Sequence, residues 1–305
     1  MLKEVILKAF YRPLAWMFYK RAKYAHPPPE MSVDFKALDI PSKFPIALKL
    51  CPLDEGFSRE FSLYGFREAL NTLLVYWVVK RLKPCVIDVG ANLGYYVGIE
   101  LAAGAPKIIA IEPSPITFRY LKENFGKDPS IHFLQAAVSD TEDEAVLQIS
   151  RALNLSSIVN LEDLKHTKLA IKVKTYTLQS IVENFKLHEC RDLMVRMDVE
   201  GYEYKILSHI PPEVTLINVE IHLNRYDVID FVKRVLGQGF RVKYFVSDPP
   251  FGFYVMIKHL GLIRSLKILN KLGFATIKEY PDLRELRYLL RNSILPYIFF
   301  ERVRE

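Results

Sequence analysis

From Lys83 onward, two kinds of apolar pattern take turns along the chain. The runs "PCVIDVG", "KIIAIE" and "IHFLQAAV" are short, β-branched and almost free of polar interruption, which predicts buried strands. Between them, "YYVGIELAAG" and "ITFRYLKENF" repeat apolar residues at helical spacing. Strand and helix in regular succession predict a parallel sheet with crossover helices. "EAVLQIS" and "IKVKTYT" read as an inserted antiparallel pair, and "LQSIVENF" returns to helix. "DLMVRMDVE", "TLINVEIH", "FRVKYFV" and "FYVMIK" supply four further strands, with helical stretches near 202–208 and 226–236. Only SDPPFG separates the last two, too little chain for a crossover, so they are expected to form an antiparallel hairpin. The expected fold class is α/β: seven strands, mostly parallel, with a terminal hairpin and helices on both faces. Residues 84–258 would form this domain, 31–83 a helical cap segment and 259–305 a helical tail of mixed basic and apolar character.

The first 30 residues follow a different pattern. Leu2, Val5, Ile6, Ala9, Phe10, Leu14 and Met17 recur at helical spacing, but Lys3, Lys8, Arg12, Lys20, Arg21 and Lys23 break any run long enough to span a bilayer. An amphipathic basic helix is expected there, packed on its own domain or resting peripherally on an anionic membrane surface, until Pro27-Pro28-Pro29 ends it. The net charge of +7 among 305 residues points to an anionic partner without choosing one. Cys51, Cys85 and Cys190 are widely spaced, with no Cys-x-x-Cys pair. That spacing argues against zinc and against a disulfide framework, and favours a reducing, cytoplasmic setting.

The turn "VIDVGANLGYYVG" places Gly90, Gly94 and Gly98 between a strand and the helix after it, where a ligand could approach the backbone and the free N–H groups of the helix start. Asn92 stands where a dinucleotide fingerprint wants glycine, which disfavours NAD. Glu112 closes the second strand, where a carboxylate can accept both hydroxyls of a ribose. Taken in order, "VIDVGANLGYY", "AIEPSP", "AAVSD" and "VRMDVEGYEYKIL" resemble the successive motifs of the FkbM family of S-adenosylmethionine-dependent methyltransferases, over about residues 84–245. The resemblance implies a Rossmann-like seven-stranded methyltransferase fold and S-adenosylmethionine as cofactor. It further implies that Asp88, Gly90, Asn92 and Gly94 cradle the methionine end, that Glu112 holds the ribose, and that Ala136, Ala137 and Ser139 edge the adenine. It also implies methylation of a hydroxyl oxygen on a sugar, glycan or small metabolite.

An alcohol must lose its proton to attack a sulfonium methyl, so a base or a metal is expected near the acceptor. Asp198 and Glu200 end the fourth strand and Glu220 and His222 the fifth, each pair two apart and therefore on one face. His222 is the preferred base, because its unperturbed pKa lies nearest neutrality. A divalent cation held by these oxygens with His222 assisting is the less favoured reading, and capping of a helix beginning near Tyr202 is the structural one for the two acids. Ser247-Asp248-Pro249-Pro250-Phe251 resembles the motif with which nucleic-acid methyltransferases grip a base amine, but that motif belongs after the fourth strand. Here it reads as a turn, with Asp248 and Phe251 at the side of the acceptor pocket. Nucleic-acid methylation is the alternative function, disfavoured because the basic residues do not cluster with aromatics. A non-catalytic domain that only binds cofactor ranks below it. Specificity is expected in residues 31–70, around 150–175 and in the tail.

Overall fold

The computed structural model describes residues 27–42, 45–52, 54–149, 157–159, 170–249, 253–271, 276–293 and 295–303. The basic segment expected to form the N-terminal helix therefore falls almost wholly outside the described residues, as does Phe251. Two short strands, β1 (Glu30–Ser32) and β2 (Ala47–Lys49), pair antiparallel ahead of helices α1 (Phe57–Tyr64) and α2 (Ala69–Leu82). Strand and helix then alternate through β3 (Cys85–Val89), α3 (Tyr95–Ala103), β4 (Ile108–Ile111), α4 (Pro115–Phe125) and β5 (Ile131–Leu134). A small sheet interrupts them, formed by β6 (Ala137–Val138), β7 (Glu144–Gln148), β8 (Ser157–Val159) and β9 (Ala170–Tyr176), in which β7 and β9 make the antiparallel pair expected of the insertion. The main pattern resumes with α5 (Leu178–Asn184), β10 (Leu193–Met197), α6 (Glu203–Ile206), β11 (Val214–Glu220), α7 (Val228–Leu236) and β12 (Phe240–Asp248). Helices α8 (Tyr254–Leu260) and α9 (Leu262–Lys271), strand β13 (Thr276–Glu279), helix α10 (Leu283–Arg291) and strand β14 (Leu295–Arg302) complete the order.

The main sheet runs β13-β12-β14-β11-β10-β3-β4-β5. Strands β5, β4, β3, β10 and β11 are mutually parallel, and β14 enters antiparallel between β11 and β12. This is the Rossmann-like methyltransferase plan, extended by β13 at one edge. Helices cover both faces, so neighbouring residues of one strand feed different cores. Val86, Ile108, Ala110, Met194 and Phe299 pack with α1, α2, α3 and α8, whereas Ile87, Ile109, Val195, Ile298 and Phe300 pack with α5, α7 and α10. Burial on both faces is why these strands read as continuous apolar runs instead of alternating ones.

Three expectations need correction. "FYVMIK" is not a strand: it falls in helix α8, where Tyr254 and Ile257 are buried at helical spacing and Lys258, His259 and Leu260 are exposed. The antiparallel partner of β12 is β14, so the segment expected to be a helical tail supplies a central strand of the sheet. Periodicity cannot separate a short apolar strand from a buried helical turn, and "FYVMIK" and "LPYIFF" are alike in that respect. Cys85 and Cys190 form a disulfide across 105 residues of sequence, joining the start of β3 to the loop before β10. The spacing argument against any disulfide falls with that finding, and so no longer speaks for a reducing setting. Among the described residues, no helix is long and apolar enough to cross a membrane.

Asp248, the acid of the Asp-Pro-Pro stretch, has a place different from the expected one. It has no exposed surface and reaches from the end of β12 to the start of α2, where its two oxygens accept the N–H groups of Leu70 (2.8 Å) and Asn71 (2.9 Å). Helix α2 has no capping side chain of its own, since Glu68 at the cap position is left-handed (φ 44°). Asp248 thus satisfies two of the orphan donors that every helix start presents. Burial pushes its carboxyl up to about 8, against the opposing pull of the two N–H groups. A folded pKa above the unfolded value of about 4 means that the native state holds the proton longer, so stability is lost as pH rises from about 4 to about 8. Asp248→Asn, which mimics the neutral acid, should flatten that decline. Urea melts of both proteins across this range would reveal it as a difference in slope, and parallel slopes would refute it.

Candidate active site

The turn after β3 owes its shape to left-handed residues: Gly90 (φ 78°), Asn92 (φ 52°) and Gly94 (φ 94°). The glycines have neighbours that a side chain would strike. A Cβ on Gly90 would lie 2.2 Å from the carbonyl oxygen of Asp198, one on Gly94 2.4 Å from the Phe125 ring, and one on Gly98 2.6 Å from Ile46. Gly90 therefore lets the ends of β3 and β10 touch, while Gly94 and Gly98 let α3 pack on its neighbours. These close approaches are between parts of the protein. The ligand-facing surface is a cleft beside the turn, bordered by Gly90, Asn92, Glu112, Ala136 and Ala137 among the expected cofactor residues. Asp88, Gly94 and Ser139 do not border it, and the Ser139 hydroxyl donates to Asp140 (2.9 Å).

Glu112 is fixed where the second parallel strand ends. Its Oε2 accepts the N–H of Asn92 and its Oε1 that of Ser114, both at 2.9 Å. Burial raises its pKa above the ordinary carboxylate value, while these N–H groups pull the other way. Each carboxylate oxygen has two lone pairs, so one on each remains for a diol.

At the other end of the cleft, Arg196 and Asp198 border it together with Glu68 and Tyr96. The Arg196 guanidinium is buried, stacked 3.9 Å over the Tyr96 ring, 3.2 Å from Asp88 Oδ1 and 3.7 Å from Asp198 Oδ2. Burial works against its charge, but these two carboxylates outweigh that and hold it protonated. Tyr96 in turn donates to Glu68 (2.7 Å).

Asp198 and Glu220 follow directly after strand positions that pair in register, Met197 with Val219, so the parallel sheet sets them side by side. His222 completes the group: its Nε2 lies 3.5 Å from Glu200, 4.0 Å from Asp198 and 4.0 Å from Glu220. The four residues chosen from sequence converge, though not by strand pleat alone. β10 ends at Met197, and Glu200 is brought back by a left-handed turn (φ 55°, with Gly201 at 101°). Neither Asp198 nor Glu200 caps the short helix that follows. Glu203 satisfies that turn instead, accepting the N–H groups of Val199 and Gly201 at 3.3 Å.

Glu203 is the residue that changes the chemistry. Wholly buried, it stands 2.9 Å from His222 Nδ1. Burial alone would lower the histidine pKa, but its bonds to Glu200 and Glu203, aided by the charge of Asp198, push it up to about 11. The case for His222 as base rested on an unperturbed pKa and does not survive, since the ring as placed carries its proton at neutral pH. Glu220 is held well above the ordinary carboxylate range, by burial first and by the nearby charge of Asp198 second. Sequence reasoning passed over Arg196, although a lone cation inside "LMVRM" was visible, and Glu203, although it lies within the quoted motif. Phe57, Arg67 and Glu68, which border the cleft from the cap segment, belong to no motif.

A sequence profile described as "Methyltransferase FkbM domain" matches residues 88–242, just over half of the chain. No curated protein matches it. Among solved structures, an S-adenosylmethionine-dependent methyltransferase from Agrobacterium tumefaciens is 9% identical, with 91% of this chain and 72% of that one covered and a TM-score of 0.43. Another from Mesorhizobium loti is 8% identical, covering 76% and 98%, with a TM-score of 0.40. A Pyrococcus horikoshii protein described as a candidate RNA methyltransferase is 12% identical, covering 79% and 85%, with a TM-score of 0.40.

The cleft residues suit S-adenosylmethionine. Ile111, Ala136 and Val138 offer an apolar wall for a base, Glu112 has lone pairs for a ribose diol, and Arg196 with Asp198 gives both signs of charge for an amino-acid end. Glu112→Ala should weaken binding of S-adenosylmethionine about 30-fold, by loss of two hydrogen bonds of about 1 kcal/mol each. Calorimetric titration checks this, and an unchanged affinity in a folded variant would refute the ribose assignment.

Proposed function

The chain belongs to the FkbM-domain methyltransferase family, and on that premise we propose that it uses S-adenosylmethionine to methylate a hydroxyl of a sugar, glycan or other small metabolite. One observation carries the reading: Asp198 borders the cofactor cleft and also belongs to the cluster of Glu200, Glu220 and His222. Deprotonating equipment therefore adjoins the place where a methyl donor would lie. Alcohols need such equipment, whereas a neutral amine can attack without it.

Bound S-adenosylmethionine would supply an electrophilic methyl carbon on a sulfonium sulfur. Glu112 would hold the ribose diol through its remaining lone pairs. Arg196, clamped between Asp88 and Asp198, keeps the far end of the cleft from shifting. Asp198 and Glu200 are carboxylates directed at the space beside His222 Nε2, and one of them takes the acceptor's proton. The protonated imidazole orients the acceptor oxygen by donating a hydrogen bond to it. The cofactor would give up its methyl group to that oxygen and keep the carbon–sulfur electron pair on sulfur. Positioning of this kind supplies much of what an in-line displacement requires.

The buried place of Asp248 supports this ranking over base methylation, because the carboxylate of the Asp-Pro-Pro stretch is spent on α2 and faces no substrate. A purely cofactor-binding role would leave the acid cluster without a task. Methyl-labelled S-adenosylmethionine incubated with the protein and a native extract fractionated into glycan, lipid, RNA and small molecules should label a hydroxyl-bearing, non-RNA fraction. Label in RNA would overturn the assignment. His222→Ala should abolish this labelling while leaving cofactor affinity nearly intact, and wild-type rates in that variant would remove His222 from the mechanism.

A further inference from the structure

We propose that Asp198, Glu220 and His222 form a binding site for a divalent cation of the Mg2+ or Mn2+ class, which holds and acidifies the acceptor hydroxyl. The inference rests on the methyltransferase reading for its chemistry, but the site itself stands on geometry. One oxygen of Asp198, one of Glu220 and one ring nitrogen of His222 lie within 4.8 Å of one another. Ligand atoms on one Mg2+-sized ion, at about 2.1 Å from it, lie about 3 Å apart when adjacent and about 4.2 Å when opposite, so the side chains would close on the ion by about 1 Å.

Proximity of acids would not suffice, but all three ligands are also held from behind by groups outside the triad. Asp198 Oδ2 faces the Arg196 guanidinium at 3.7 Å. Glu220 Oε2 accepts the Tyr297 hydroxyl at 3.2 Å. His222 Nδ1 lies 2.9 Å from the carboxylate of Glu203, whose side chain has no exposed surface. Each ligand is thereby turned so that its other atom (Oδ1, Oε1 or Nε2) faces a common centre. Buried partners that orient a ligating imidazole or carboxylate are characteristic of metal sites. At that centre, Asp198 Oδ1 is shut off from solvent and accepts no hydrogen bond. Four carboxylates, Asp198, Glu200, Glu203 and Glu220, thus surround one imidazole, and Arg196 is already shared with Asp88.

Two carboxylates with one imidazole are hard, oxygen-rich ligands that favour Mg2+ and Mn2+, and the nitrogen inclines the choice toward Mn2+. An ion there would displace the proton from His222 Nε2 to solvent, take over from the imidazolium the task of holding the acceptor hydroxyl, and lower that hydroxyl's pKa. Glu200 would take the released proton, the oxygen would attack the methyl carbon, and the sulfur would keep the electron pair of the broken bond.

The test uses the full chain stripped with EDTA and titrated with Mn2+, with free ion followed by electron paramagnetic resonance and S-adenosylmethionine affinity measured separately by calorimetry. A single saturable Mn2+ site is expected, displaced by excess Mg2+. Glu220→Gln and His222→Ala should lose it, and Glu203→Gln should weaken it about 10-fold or more by freeing the ring. Asp198→Asn serves as a further ligand variant should either of the first two fail to fold. Cofactor affinity should be retained in the Glu220, His222 and Glu203 variants. Absence of Mn2+ binding, or binding indifferent to these substitutions, would overturn the site. Failure of the methyltransferase reading would show separately, as absence of S-adenosylmethionine binding in the wild-type chain.

Discussion

The ion pair between Arg196 and Asp88 constrains most of what surrounds it. The two residues sit opposite each other on neighbouring parallel strands, β10 and β3, in the interior of the sheet. A guanidinium cannot be buried there without compensation, and the compensation comes from three directions: Asp88 beside it, Asp198 at the strand's end and the face of Tyr96 above. Removing one partner of such a group generally costs about 3–5 kcal/mol, because the other charge is left stranded. Glu100 on α3 shows the other outcome for a buried acid. Neither of its oxygens has a hydrogen-bond partner, and burial, reinforced by the charge of Asp88, drives its pKa far above the usual carboxylate range. Asp88 and Asp198 share the one guanidinium of Arg196, whereas Glu100, without a partner of its own, is driven toward the neutral form. The backs of both the cleft and the acid cluster are thereby made rigid by one side chain.

The sequence revealed the parallel core because each strand there is flanked by its own crossover helix, so that local periodicity and global topology agree. It failed at β14 and α8. Both are short apolar stretches, and which becomes strand is decided by the edge that β11 and β12 leave open between them, a property of the assembled sheet. The disulfide was hidden for a related reason. Cys85 and Cys190 are far apart in sequence, and only the adjacency of β3 and β10 brings them together.

The site was legible to a similar depth. Residue types and strand ends were enough to gather Asp198, Glu200, Glu220 and His222, since parallel strands deliver their carboxyl ends to one edge. The state of His222 could not be read, because it depends on Glu203, one residue inside a turn whose left-handed bend at Glu200 and Gly201 no periodicity encodes. The glycines teach a complementary lesson. Gly90, Gly94 and Gly98 occupy the positions expected of a ligand-binding loop, yet each answers to a protein neighbour, so they act on the cleft by letting its walls close together.

The late position of β14 bears on how the molecule assembles. β12 has no direct bond to β11 and is attached to the parallel core through β14. Until residues 295–302 emerge from the ribosome, β12 has no place in the sheet, and Asp248 at its end has no fixed position from which to hold the start of α2. The cap segment precedes the glycine turn in the chain, but its final docking must wait for β14. Contacts so distant in sequence slow folding, because a long loop must close before any of them is gained. A nascent chain would thus hold a finished half-sheet with an open edge beside an unfinished cleft, and its exposure to mispairing would end only when that strand slides in.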